Sequence, residues 1–208
     1  MTKDQLIELF QYRLSGIPTI SDKSKHPEII SFMIGLAFNQ MIGELNAKGY
    51  KNLSPYSKLF INIDVVYNSD IDVYYSLLPI DISTLTDVKS GIRKIQSMQG
   101  KGLEFAPMDR ERLEIIEGLD VSSLTDIIGY TIGKNEDGDL AVDYFGMTSE
   151  NYITHVKMYL LIPFEAYEDD DIINLPAGQD AMLFDMVVKL FNGQPPKDMK
   201  DNHNEIKY

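Results

Sequence analysis

The sequence predicts an α+β fold: N-terminal helices, an antiparallel β-sheet or sandwich, and a C-terminal helix leading into an extended arm. Three observations predict it. Apolar residues recur at three- and four-residue spacing up to Ala47 and again from Gly178 to Phe191, the period of helices that bury a face. Between Leu59 and Ile162 they alternate with polar residues in short runs, the period of strands. After Gly193 both periods vanish, and the remaining residues are too polar to fold alone. Helices precede and follow the strands rather than alternating with them, which is the segregated arrangement. The expected organisation is a helical region over 1–58, a β-rich domain over 59–193 closed by the last helix, and an arm over 194–208.

The first helix is expected over Thr2–Leu14. Thr2 and Gln5 stand at the spacing of a capping box, Leu6, Leu9, Phe10 and Leu14 form the buried stripe, and Gly16-Ile17-Pro18 breaks it. After the polar loop Ser21–His26, Pro27 suits a first helical position, and Pro27–Ala47 reads as a longer helix. Ile29, Ile30, Phe32, Met33, Ile34, Leu36, Ala37, Phe38, Met41, Ile42 and Leu45 make it apolar nearly all round. Such a helix is either the centre of a bundle or is covered by a neighbouring subunit, and Gly35 and Gly43 leave flat spots for close approach.

Leu59–Tyr67 and Ile71–Leu77 alternate on either side of Asn68-Ser69-Asp70 and predict a hairpin. Gly91–Met98 is a weaker strand, followed by the turn Gly100-Lys101-Gly102. Asp109–Glu117 reads as a short helix capped by Asp109 and stopped by Gly118. Ile127–Gly133 and Leu140–Gly146 flank an acidic turn and predict a second hairpin. Thr154–Ile162 is a further strand, with Val156, Met158, Leu160 and Ile162 on one face and His155, Lys157 and Tyr159 on the other. The closing helix runs from Gly178 to Phe191. Leu183, Val187 and Leu190 are expected on its buried face, with Phe184, Val188 and Phe191 beside them, and Asn192-Gly193 stops it.

At 208 residues and 44% hydrophobic composition the chain can build a real core. No run of about 18 apolar residues is present, so no membrane span is expected. Met1-Thr2-Lys3-Asp4-Gln5 has no signal-peptide character. Cysteine is absent, which excludes disulfides, thiolate metal sites and a cysteine nucleophile. The net charge of −13 is concentrated in residues 59–193, which hold 24 acidic and 9 basic residues. A surface of that sign repels phosphate backbones and argues against a protein that grips nucleic acid, though not against a channel wall past which DNA slides.

No catalytic set assembles, and no enzyme is expected. The histidines are His26, His155 and His203, without a zinc-type pair, a nucleophile elbow or a dinucleotide fingerprint. Gly100-Lys101-Gly102 lacks the phosphate-loop pattern. The Asn135–Asp139 turn lacks the bidentate glutamate of a calcium loop, with Gly146 in its place. Glu168-Asp169-Asp170-Asp171 is accounted for by a charged loop between a strand and a helix. No cofactor or metal is expected.

The arm is the candidate contact region. Pro195 and Pro196 start it as a stiff extended piece. Met199 and Ile206 suit small pockets on a neighbour, while Asn202, His203 and Asn204 supply hydrogen bonds. Pro195, Pro196, Asp198, Met199, Asn202, His203 and Ile206 are therefore the candidate subunit-interface residues.

Several phrases carry a family likeness: Val142-Asp143-Tyr144-Phe145-Gly146-Met147-Thr148, the strand Val156-Lys157-Met158-Tyr159-Leu160, Ile172-Ile173-Asn174-Leu175-Pro176, and Gln194-Pro195-Pro196-Lys197-Asp198 with Asp201-Asn202 after it. With the order of elements, best over about residues 120–205, the chain resembles the structural ring or head-to-tail connector proteins of crAss-like bacteriophages, the tailed podoviruses of Bacteroides. The resemblance implies a non-catalytic virion protein of the phage tail, assembled in the host cytoplasm into a closed, twelve-fold ring below the portal. Its partners would be copies of itself, neighbouring portal or tail ring proteins, and genomic DNA passing through the lumen without tight binding. The competing expectation is a soluble acidic module that binds a basic protein partner.

Overall fold

The computed structural model describes residues 1–17, 26–48, 53–80, 82, 91–99, 102–108, 127–135, 137–147 and 152–193. Helix α1 spans Lys3–Ser15. Its N-terminus is closed by the reciprocal box expected from sequence: the Gln5 amide donates to Thr2 Oγ1 (3.2 Å) and the Thr2 amide to Gln5 Oε1 (3.1 Å). Helix α2 spans Pro27–Ala47 with proline at its first position, where the missing amide would have had no helical partner. Helix α3 spans Gln179–Phe191 and ends as Gly193, at φ +72°, donates its amide to the Leu190 carbonyl (3.0 Å).

Among the described residues, eight strands form two sheets: β1 Ser57–Asp64, β2 Val66–Asn68, β3 Val73–Leu77, β4 Ile92–Ser97, β5 Glu104–Pro107, β6 Ile127–Lys134, β7 Leu140–Phe145 and β8 His155–Leu161. The first sheet has the order β1-β8-β4 and is antiparallel; the second has the order β2-β3-β7-β6-β5. The fold is α+β, with a C-terminal helix as expected. The sheets are not wholly antiparallel, because β5 pairs with β6 in parallel.

The stretch read as the first hairpin strand, Leu59–Tyr67, is divided. Its first part, β1, pairs with β8, about a hundred residues away; only β2 completes the expected hairpin with β3. The alternation misleads because a bulge between Phe60 and Ile63, with Asn62 at φ +57°, resets the side-chain direction. The chain then changes sheet at buried Val65. Three hydrogen bonds fasten that crossing: Val65 N–H to the Thr154 carbonyl (2.9 Å), Ser76 Oγ to the Asp64 carbonyl (2.8 Å) and Tyr152 Oη to the Val65 carbonyl (3.4 Å).

One apolar core runs from Leu6 to Phe191. Helix α2 lies at the centre of the helical layer, against α1, α3 and the short 3-10 turn Phe164–Ala166. Phe38 meets Phe164 and Tyr167 at 5.8 and 6.1 Å between ring centres. Gly35 is a close-approach site within the chain itself: a Cβ there would sit 2.5 Å from Glu165 Oε1. On α3 the buried stripe is Leu183, Val187 and Phe191; Leu190, expected there, is only half-buried. Spacing of four and four follows the slow drift of a 3.6-residue helix past its docking line, and it selects Phe191 over Leu190. On β8, Val156, Met158, Leu160 and Ile162 just beyond it are all buried, as the alternation predicts.

The N-terminus is tied to the loop before α3. Lys3 and Asp4 amides donate to the Asp171 and Asp169 carbonyls (3.1 and 3.2 Å), and Ile173 returns a bond to Met1 (2.9 Å). The expected strands Gly91–Met98 and the Ile127–Gly133/Leu140–Gly146 hairpin are present as β4 and as β6–β7. The expected helix Asp109–Glu117 lies outside the described residues.

Candidate interaction surface

The strand edges provide the most distinctive surface among the described residues. β1 and β2 are consecutive in the chain, and among the described residues each is the edge strand of its own sheet. Ser57–Asn68 therefore forms one compound edge that serves both sheets. Interspersed with exposed Asn62, Asp64, Ser69, Asp70 and Asp72, the exposed large apolar side chains along it and the following turn and strand are Leu59, Ile61, Val66, Tyr67, Ile71 and Leu77. These are six of the thirteen exposed large apolar residues among the described residues, a clustering that single scattered residues do not show. A row of tyrosines leads inward from this edge. Tyr67, Tyr74, Tyr144 and Tyr130 are direct cross-strand partners on β2, β3, β7 and β6. Exposure falls from 48% at Tyr67 to 2% at Tyr144, so the row connects the surface to the core. Burial pushes the Tyr144 phenol well above its ordinary pKa, and it stays neutral.

A second apolar surface lies on α2, where Ile29, Phe32 and Leu36 are exposed at helical spacing. Of the two arrangements the sequence left open for this helix, a bundle centre or cover by a neighbour, the structure sets it at the centre of the helical layer, with this stripe exposed. Ile30, Ile34, Ala37, Phe38, Met41 and Ile42 are buried, and the remaining stripe faces out.

Polar groups on these elements hold the frame. Lys58 on β1 bonds Asp171, and Lys3 donates to the Tyr167 carbonyl (2.6 Å). Burial raises the Asp171 pKa, but the bonds from Lys58 and the Glu168 amide, with the Lys58 and Lys3 charges, outweigh it and hold it below the usual carboxylate value. The acidic cluster Glu168–Asp171 is thus a loop whose last member is an internal tie. No group of three metal-ligating side chains occurs among the described residues.

His155 meets Asp64 at 3.1 Å and Thr154 Oγ1 at 2.8 Å, and Gln99 donates to the same hydroxyl at 2.9 Å. Sequence reading placed His155 on a strand face without its partner Asp64, which lies far away in the chain. The His155 and Asp64 side chains are 45% and 78% exposed, so the pair is a watery clasp between β1 and β8, weak in energy. The Asn135–Asp139 turn is closed by its own groups, with the Asp139 amide on Asn135 Oδ1 at 2.7 Å.

An open apolar groove of about 370 Å³ lies between Met1, Pro55 and the segment Ile173–Pro176. The arm residues singled out from sequence, Pro195, Pro196, Asp198, Met199, Asn202, His203 and Ile206, lie outside the described residues. The compound edge was not found by sequence reading; its one signal was an apolar run in which both alternating registers carry large side chains.

No protein-family model matches the chain, and no curated protein does. Among the described residues no helix is long and apolar enough to cross a membrane.

Proposed function

We propose that this protein is a structural subunit that assembles with copies of itself into a ring of the phage portal–tail connector, with genomic DNA passing through its lumen. The observation that carries the proposal is the compound edge: among the described residues two sheets end on the consecutive strands β1 and β2, which expose Leu59, Ile61, Val66 and Tyr67. An open apolar edge of this kind pairs with another chain in its working state or aggregates. The uncovered stripe on α2 and the likeness to connector proteins support the same reading. The acidic excess of residues 59–193 suits a lumen wall that phosphates do not adhere to. Twelve-fold symmetry, the neighbouring ring proteins and the virion location belong to the proposal through that likeness.

Sedimentation of the full chain at micromolar concentration tests it. A ring gives one species several-fold heavier than the 23.6 kDa monomer. The variant Leu59→Lys with Ile61→Lys should remain folded and lose that species. A wild-type protein that stays monomeric alone and with the portal, yet binds a basic protein, would replace this reading with that of an acidic binding module. Tight binding to duplex DNA at physiological salt would remove the lumen role.

A further inference from the structure

Helix α3 carries an apolar flank beside its buried stripe. Met182, Met186 and Leu190 follow one another at four-residue spacing and are half-buried. The helical turn places them on one side of the stripe Leu183, Val187 and Phe191, and Phe184 on the other. The Phe184 side is occupied by α1: its ring meets Phe10 at 5.4 Å between centres and the Arg13 guanidinium at 5.6 Å. The methionine flank faces away from α1. It runs towards the helix start, and there lies the open groove between Met1, Pro55 and Ile173–Pro176. The Gln179 amide, first of α3, donates to the Pro176 carbonyl at 3.0 Å, so groove and helix adjoin.

The chain continues for fifteen residues beyond Gly193, all outside the described residues. Their first apolar members come in an order that fits this flank read backwards. From Gly193 to the first residue of α3 is about 20 Å at the helical rise. An extended chain covers that distance in about six residues. Gly193, at φ +72°, has the left-handed backbone that ends a helix and turns the chain. A chain returning along α3 then sets Pro195 and Pro196 about 7 and 10 Å back, beside Leu190 and Met186. It sets Met199 about 20 Å back, at the level of the groove.

We infer that the first part of the arm folds back along α3 of its own chain, with Pro195 and Pro196 against Leu190 and Met186, and Met199 in the groove. This goes beyond the ring reading and does not rest on it. Two adjacent prolines are already extended, so laying them down costs little chain entropy. Methionine adapts to an irregular apolar groove, and a flank of methionines adapts to what lies on it. Attachment to the end of α3 gives the arm an effective concentration on the order of millimolar, so a contact too weak to hold a separate peptide suffices. Lys197 and Asp198, between the anchors, carry opposite charges and face water. The sequence alone suggests pockets on a neighbour for Met199 and Ile206. This placement gives Met199 a pocket on its own chain and leaves Lys200–Tyr208, with Ile206, to reach a neighbour.

Methionine-methyl NMR of the full chain reads this directly, because Met1 lines the groove and Met182 and Met186 form the flank. Truncation after Gly193 should shift the Met1, Met182 and Met186 resonances and leave that of Met158, fully buried on β8, in place. The full-length variant Met199→Asp should move Met1 to its position in the truncated chain. A labelled truncated chain mixed with unlabelled full chain should keep its own spectrum. Unmoved Met1, Met182 and Met186 after truncation would overturn the inference. Shifts that the unlabelled full chain induces in the labelled truncated chain would also overturn it, because the arm would then lie on another copy. A Met1 resonance indifferent to Met199→Asp would remove Met199 from the groove. If Met158 moves as well, truncation has disturbed the fold. Met199→Asp and Pro195→Ser/Pro196→Ser, which keep α3 and the arm in one chain, then decide by the same three resonances. Rings by sedimentation, with or without these shifts, bear on the ring reading alone.

Discussion

Tyr144 Oη donates a hydrogen bond to Ser76 Oγ at 3.1 Å, and Ser76 Oγ in turn donates one to the Asp64 carbonyl at 2.8 Å. Ser76 is the one fully buried polar side chain among the described residues. The relay links the middle of the five-stranded sheet to the point where the chain changes sheet. Ser76→Ala leaves both partners without this hydroxyl, and should destabilise the fold by about 1–3 kcal/mol in urea unfolding. Tyr144→Phe removes only the donor and should cost about 0.5–1.5 kcal/mol. A Ser76→Ala loss no larger than that of a surface change would show that the relay holds nothing.

Truncation on α3 should discriminate between neighbouring positions. Leu183→Ala and Val187→Ala sit in the fully buried stripe. Leu183→Ala should cost about 2–5 kcal/mol. Leu190→Ala, at a half-buried position, should cost clearly less. Equal losses at Leu183 and Leu190 would place the helix in a different rotation.

Acid should loosen the tie between β1 and the loop before α3. The folded Asp171 pKa lies below its ordinary 3.8, because the Lys58 and Glu168 bonds outweigh the opposing effect of burial. A depressed carboxylate contributes stability that is present above the unfolded pKa and lost as pH falls through the folded value. Urea midpoints should therefore drop below about pH 4, and Asp171→Asn should flatten that part of the profile. An unchanged acid profile in Asp171→Asn would assign the acid sensitivity to other carboxylates.

Truncation after Gly193 tests the arm. The described core ends with α3, and no described core residue follows Phe191. The shortened chain should therefore keep its melting temperature within a few degrees. Ring or particle assembly should fall, because ordering such a segment costs roughly 1–2 kcal/mol per residue and is repaid only by an extensive contact. Normal assembly without the arm would remove it from the interface.

Elements set by nearby residues were legible in the sequence. The Thr2–Gln5 box, Pro27 at the start of α2, the β6–β7 hairpin and the alternation of β8 each need only local chemistry. What failed depended on distant partners. The division of residues 57–68 follows from pairing with β8, and its bulge leaves no mark in a list of apolar positions. Strand β5 was missed because four residues ending in Pro107 carry little pattern, and its parallel partner β6 lies over twenty residues away. Of the contact surface, the excess apolarity of α2 could be read directly. The edge could not, since an exposed edge and a buried strand use the same apolar alphabet.

The position of β8 also sets a timetable for synthesis. The five-stranded sheet contains two local hairpins, β2–β3 and β6–β7, which form as soon as each has emerged. The three-stranded sheet has no local pair: β1 and β4 both await β8, and Ser57 meets Leu161. Contacts of such separation form slowly. On the ribosome, β1 and β4 therefore stand without their shared partner until residues 155–161 have been made. During that interval the strands are unpaired on both sides, and nascent chains on one polysome are close enough to cross-pair. Arrival of β8 ends the hazard by giving both strands their shared partner.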